Sequence, residues 1–123
     1  MHPKIYIRMN TDGIVSWEQF DSITDNGAPD FMEIYREFLQ ATPGLFSALK
    51  SAIGNADEKK IISVSHQLKG SAANFGFVGV SDNAAKIEDE SKRGIFANVP
   101  AYFAAAESAY SQAMAAVAEK YPN

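Results

Sequence analysis

The chain lacks cysteine entirely, which removes several kinds of site at once. Disulfide bonds and thiolate metal sites are excluded, and the absence fits a reducing compartment. Histidine is also scarce, since only two of the 123 residues carry an imidazole. One of them, His2, lies in an N-terminal segment with no clear helical pattern. Any histidine chemistry is therefore expected at the second position, His66.

Excess basic charge and long apolar runs are missing as well. The formal net charge is −4, whereas nucleic-acid-binding domains are more often basic. No apolar run approaches the roughly 20 residues that a membrane span needs. The opening residues, MHPKIYIRMN, have no apolar core of the kind found in signal peptides. We therefore expect a cytoplasmic protein that binds neither nucleic acid nor membrane.

Apolar residues recur at helical spacing along most of the chain, which predicts an all-α domain. Ser16 and Asp57 are predicted N-caps of the first and third helices. Pro43-Gly44 is expected to kink or split the second helix. Helices are predicted at about 16–25, 28–54, 57–74, 80–92 and from 98 to near the end of the chain.

Short connections between these helices favour one architecture. We predict an antiparallel up-and-down four-helix bundle with an additional short N-terminal helix acting as a lid. Residues 1–15 are predicted to form an N-terminal arm, partly extended or flexible, and residues 16–122 the helical domain. A chain of this length can bury a core without crosslinks.

The third helix presents two very different faces when it is laid out at about 100° per residue. His66 falls opposite the apolar stripe, together with Ile62, Lys69, Gly70 and Ala73. Gly70 costs about 1 kcal/mol relative to alanine in a helix interior, but it leaves space beside the imidazole. The face therefore resembles a docking surface with a reactive group at its centre. The stripe predicted to face the core contains Ile61, Val64, Leu68, Ala72 and Phe75.

The neighbours of His66 restrict its chemistry. No His, Cys, Asp or Glu stands three or four residues away on the helix, so a metal site is not predicted. Ser63 and Ser71 lie nearby, but no glycine-framed nucleophile turn supports a hydrolytic triad. The remaining option is attack of the imidazole on a phosphoryl group that a partner delivers. Lys69, one turn later, is placed to offset phosphate charge.

The stretch His66-Gln67-Leu68-Lys69-Gly70-Ser71-Ala72 resembles the signature of the histidine-containing phosphotransfer (HPt) domain family. Ile87-Glu88 and Arg93-Gly94 resemble the pattern that closes the family's next helix. The motif resemblance covers about residues 57–94, and the helix pattern is compatible over about 16–122. The resemblance implies a four-helix bundle with an additional short helix.

The resemblance also implies roles for individual residues. His66 would be phosphorylated on Nε2, Lys69 would support the phosphoryl group, and Gly70 would leave room for the receiver domain of a response regulator. Gln67 would have at most a flanking, hydrogen-bonding role. Mg²⁺ is expected on the partner receiver domain, and the chain itself is expected to bind no cofactor. Further partner-docking residues are predicted on the same helix, namely Ile62 and Ser63, with Ala73 contributing clearance.

Several functions remain open at this point. The leading one is a phosphorelay intermediate whose partners are a response-regulator receiver domain, a histidine kinase, or both. A phosphoacceptor domain of a chemotaxis-type histidine kinase has the same fold. A receiver-binding adaptor could use the patch from Ile62 to Ala73 without moving phosphate. A structural helical domain with an accidental motif is the last alternative. No ATP-binding motif is present, so no catalytic ATP site is expected.

Overall fold

The structure, a computed structural model, describes residues 11–122 and is built from helices. Four long helices form an up-and-down antiparallel bundle in which consecutive helices pack side by side, and an additional short helix precedes them. No strand occurs among the described residues, so the predicted fold class is confirmed. The helices are α1 (Trp17–Thr24), α2 (Pro29–Gly54), α3 (Glu58–Asn74), α4 (Val78–Lys92) and α5 (Val99–Lys120).

Two of the helix starts are set by local hydrogen bonds that the sequence predicts. The Ser16 hydroxyl accepts the backbone N–H of Gln19 at 3.3 Å. The Asp57 carboxylate accepts the backbone N–H of Lys60 at 3.2 Å. Each side chain satisfies one donor that the first helical turn leaves unpaired. Both predicted N-caps are confirmed.

The second helix is not split at Pro43-Gly44, where a kink or a split is predicted. α2 runs as one helix of 26 residues with Pro43 inside it. Proline removes one backbone donor and crowds the preceding turn, which costs about 3 kcal/mol in a helix interior. Here Pro43 and Gly44 are exposed, while Phe46 and Leu49 after them are buried in the same core as Phe38 before them. Core contacts on both sides of the proline hold the helix together.

An aromatic cluster fills the end of the bundle where α3 is followed by α4. Phe38 stacks on Phe75 at a centroid distance of 4.6 Å and meets Phe77 edge-on at 5.1 Å. Phe20 on α1 meets Tyr35 edge-on at 5.1 Å, so this cluster anchors the short helix to the bundle. Edge-on and offset stacking are the favoured arrangements of aromatic pairs. We call Phe20, Tyr35, Phe38, Phe75, Phe77 and Tyr110 the aromatic cluster.

The segment before α1 packs against the α3–α4 connection. The backbone N–H of Ser16 donates to the Gly76 carbonyl at 2.7 Å, and the N–H of Gly79 donates to the Ile14 carbonyl at 3.3 Å. Val15 is buried. The remainder of the predicted arm, residues 1–10, lies outside the described residues. Residues 14–16 therefore pack onto the bundle.

Membrane insertion was not expected from the sequence. Between residues 11 and 122, every helix is too short or too polar to cross a bilayer.

Candidate functional site

The third helix carries the candidate site on the face opposite its core stripe. The predicted core residues are buried, with Leu68 and Ala72 fully excluded from solvent. The side chain of His66 keeps 66% of its surface exposed. The helical periodicity therefore predicted correctly which face of α3 is buried and which face is exposed.

A carboxylate from the neighbouring helix holds the His66 ring. His66 Nδ1 lies 2.9 Å from Oε2 of Glu88 on α4. An ionised carboxylate can only accept hydrogen bonds, so we assign the ring proton to Nδ1. In the neutral imidazole, Nε2 then has no proton and carries a free lone pair. The contact therefore selects the tautomer in which Nε2 can act as a nucleophile.

Glu88 is the most buried charged group of the site, since only 6% of its side chain is exposed. Lys69 Nζ lies 2.7 Å from its Oε1, and Lys92 Nζ lies 2.9 Å from its Oε2. Burial alone would raise the pKa of the Glu88 carboxyl, but hydrogen bonds from Lys69, Lys92 and His66 lower this pKa from 4.5 to about 2. Glu88 is therefore ionised at neutral pH. We call His66, Lys69, Glu88 and Lys92 the Glu88 cluster.

The surface beside the ring is open and built from small side chains. Gly70 and Ala73 are exposed, and Ile62 is half-buried. A Cβ atom added to Gly70 would meet nothing within 4 Å apart from the backbone of its own helical turns and its chain neighbours. Close helix packing therefore does not explain the glycine, since packing would place atoms in that space.

The other predicted docking residues lie outside the Glu88 cluster. Ser63 and Gln67 are both exposed on α3. The Ser63 hydroxyl donates to the Lys60 carbonyl of its own helix at 3.3 Å. Glu88 thus connects His66 and Lys69. Ser63 and Gln67 take no part in that network.

Two members of the cluster, Glu88 and Lys92, were assigned no chemical role from the sequence. The positions three or four residues from His66 on its own helix carry no acidic side chain, whereas Glu88 stands 22 residues later in the chain. The sequence does contain a signal for a role of Glu88. This residue follows Ala84 by four positions and therefore lies on the same buried face of α4. An acidic residue at a core-facing position needs a cationic partner.

Metal binding has no support from clustered ligands. Within residues 11–122, no three His, Cys, Asp or Glu side chains come together in a way that could hold a metal ion. The three donors around Glu88 are instead two ammonium groups and an imidazole N–H.

Comparison with known proteins adds a family and a fold. The family model of the Hpt domain matches residues 33–119, a range that includes the whole Glu88 cluster. Among solved structures, the chain is similar to the histidine-containing phosphotransfer protein MtHPt2 from Medicago truncatula. The TM-score is 0.77 at 20% sequence identity, and the match covers 91% of this chain and 80% of that chain. No curated protein sequence matches. At this identity the structural likeness establishes the fold.

Proposed function

The chain belongs to the Hpt domain family, and on that premise we propose that His66 accepts a phosphoryl group and exchanges it with an aspartate of a response-regulator receiver domain. Family membership supports a histidine phosphotransfer role in a phosphorelay. The observation that carries the assignment to His66 is its hydrogen bond to Glu88, 2.9 Å from Nδ1. That bond leaves Nε2 unprotonated on a ring that is largely exposed.

The proposed transfer needs no proton movement on this chain. The Nε2 lone pair attacks the phosphorus atom of an aspartyl phosphate, and a new N–P bond forms. The P–O bond to the aspartyl group breaks, and its electron pair leaves with the carboxylate. The phosphorylated ring keeps its Nδ1 proton and becomes cationic. The carboxylate of Glu88 stabilises that positive charge, because it accepts the Nδ1 hydrogen bond from a buried position.

Lys69 supplies positive charge to the same reaction. Its ammonium group contacts Glu88 Oε1 at 2.7 Å, and 38% of its side chain is exposed. An ammonium group has three N–H donors, so it can keep the contact with Glu88 and still donate to a phosphoryl oxygen. Phosphoryl transfer depends mainly on such positioning and charge neutralisation. We assign Mg²⁺ to the receiver domain and no cofactor to this chain.

The open surface around His66 is the proposed docking area for the receiver. The empty space at Gly70 lets a partner backbone approach the ring, and Ala73 extends the cleared area. Ile62 offers an apolar contact at the side of the ring, while Ser63 and Gln67 are assigned flanking polar contacts. The exchange is proposed to take place in the cytoplasm, with the chain acting as a carrier.

The decisive experiment supplies the purified chain with Mg²⁺ and a panel of phosphorylated receiver domains. We expect acid-labile, base-stable label on His66 with at least one receiver, and no label with ATP alone. His66→Gln should abolish labelling while the free energy of unfolding changes by no more than about 1 kcal/mol, since the ring is exposed and Lys69 and Lys92 still pair with Glu88. Lys69→Ala should slow transfer, whereas Lys50→Ala on α2, as a matched control, should not.

The same experiment separates the proposal from an adaptor function. Receiver binding that persists in His66→Gln, without any label on the wild-type chain, would show docking without transfer. Label on a residue other than His66 would also overturn the assignment. An unchanged rate in Lys69→Ala would remove Lys69 from the mechanism.

A further inference from the structure

We propose that Lys92 is a positioning residue of the phosphotransfer site, which keeps the His66 ring neutral by offsetting the charge of Glu88. The inference rests on the proposed function and extends it to a residue on a different helix. From the sequence, Lys92 reads only as a cation near the C-terminus of α4, where positive charge complements the helix dipole. In the structure its ammonium group also contacts the carboxylate of Glu88.

Lys92 and His66 share a single oxygen atom. Lys92 Nζ and His66 Nδ1 each lie 2.9 Å from Glu88 Oε2. The ammonium group therefore lies within about 6 Å of the ring, close enough for one positive charge to oppose another. Lys92 stands four residues after Glu88, so both side chains leave the same side of α4.

A buried carboxylate without this compensation would work against nucleophilic attack. Glu88 alone beside His66 would favour the doubly protonated ring. Nε2 would then carry a proton and have no lone pair for phosphorus. The charged groups that face the ring through Glu88 are Lys69 from α3 and Lys92 from α4. With a neutral ring, the two lysines and Glu88 together carry a net charge of about +1, and protonation of the ring would raise that charge to about +2.

The two lysines are not equivalent in this arrangement. Lys69 contacts Oε1, and the proposed function requires it to donate to a phosphoryl oxygen as well. Lys92 contacts Oε2, the atom that receives the Nδ1 proton. Lys92 can therefore hold Glu88 against the ring both before and after Lys69 engages the phosphoryl group.

The test compares ring protonation in Lys92→Met with the wild type by ¹⁵N NMR at neutral pH. The His66 signals are identified by their loss in His66→Gln. We expect the wild-type Nε2 signal at the position of a nitrogen with a lone pair, and a shift toward the protonated position in Lys92→Met. The rate of phosphoryl acceptance should fall several-fold in Lys92→Met, and Lys92→Arg should restore both readouts.

Lys86→Met serves as the matched control, because it removes the same charge from the same helix. Lys86 Nζ lies 5.7 Å from the centroid of the Tyr102 ring, on the side of α4 that faces α5. Its removal should leave the Nε2 signal and the acceptance rate as in the wild type. Circular dichroism checks that all three lysine variants are folded.

The two readouts separate this inference from the function on which it rests. An Nε2 signal in Lys92→Met that matches both the wild type and Lys86→Met would overturn the role of Lys92. A shifted signal with an unchanged acceptance rate would remove Lys92 from the transfer reaction. If wild-type chain accepts no phosphoryl group from any receiver, the proposed function fails, and the nitrogen signals alone still decide whether Lys92 controls ring protonation.

Discussion

The aromatic cluster and the Glu88 cluster lie in the same bundle, but different forces hold them together. The aromatic cluster joins α1, α2, α5 and the α3–α4 connection through buried rings such as Phe38 and Phe77. The Glu88 cluster joins only α3 and α4, through one buried carboxylate and three exposed donors. Removing apolar area from the first should destabilise the whole fold, since hydrophobic burial is its main source of stability. The second can be altered chemically while the helices stay in place.

The largest expected effect on stability is at the aromatic cluster. Phe77 is fully buried, and its ring centroid lies 5.1 Å from that of Phe38 and 6.0 Å from that of Tyr110. Phe77→Ala should lower the free energy of unfolding by about 3–5 kcal/mol, because it leaves a cavity among the rings. Denaturant titration measures this loss. A change below about 0.5 kcal/mol, the ordinary range of surface substitutions, would contradict the assignment of the aromatic cluster as the main source of stability.

Removing the charge of Glu88 should have a smaller effect that depends on pH. Glu88→Gln should destabilise the protein by about 1–3 kcal/mol at neutral pH, through loss of charge-assisted hydrogen bonds. The pKa of Glu88 is lowered from 4.5 to about 2, so its contribution is fully present above pH 4.5. That contribution is lost as the pH falls toward 2, because the unfolded state binds the proton more readily.

Measuring the free energy of unfolding across this pH range tests the predicted direction of the pH dependence. The difference between the wild type and Glu88→Gln should shrink as the solution becomes more acidic. Asp89→Asn is the control, since the Asp89 side chain is 71% exposed and pairs only at the surface with Arg93; surface pairs contribute about 0–1 kcal/mol. A constant difference between wild type and Glu88→Gln at all pH values would contradict the role assigned to the buried carboxylate.

Gly79 tests how tightly the region beside the aromatic cluster is packed. A Cβ at Gly79 would lie 2.8 Å from the Ala109 Cβ and 2.9 Å from the Gly13 carbonyl oxygen. Gly79→Ala should therefore destabilise the protein by about 1–3 kcal/mol, as overpacking usually does. Thermal or denaturant unfolding measures the change. A stabilised variant would show that these contacts relax without cost.

Gly70 should give the smallest effect on stability, and of the opposite sign. A Cβ built there would meet nothing within 4 Å apart from its own helical turns and chain neighbours, so Gly70→Ala should stabilise α3 by up to about 1 kcal/mol. The same change should slow phosphoryl transfer, because it fills the proposed docking space. Gly44→Ala is the matched control: it is an exposed position of α2 with the same open surroundings, and it should stabilise without slowing transfer. Equal transfer rates in both variants would remove the clearance role of Gly70.

The helices and their faces were predictable because they depend on neighbours along the chain. The caps at Ser16 and Asp57, and the burial of Leu68 opposite an exposed His66, follow from local hydrogen bonds and a period of 3.6 residues. Pro43 shows the limit of such reasoning. Its local effect disfavours a continuous helix, yet buried residues on both sides hold α2 in one piece.

The sequence by itself determined that this chain folds into helices with a histidine, a lysine and a glycine on one outer face. Helical periodicity and residue type are sufficient for that conclusion. Only the tertiary structure decided what His66 contacts, because Glu88 reaches it from another helix and brings Lys92 to the same oxygen atom. Their meeting depends on how α3 and α4 align along the core, and that alignment comes from the packing of many buried side chains. One oxygen of Glu88 therefore sets the tautomer of a ring 22 residues away in the chain.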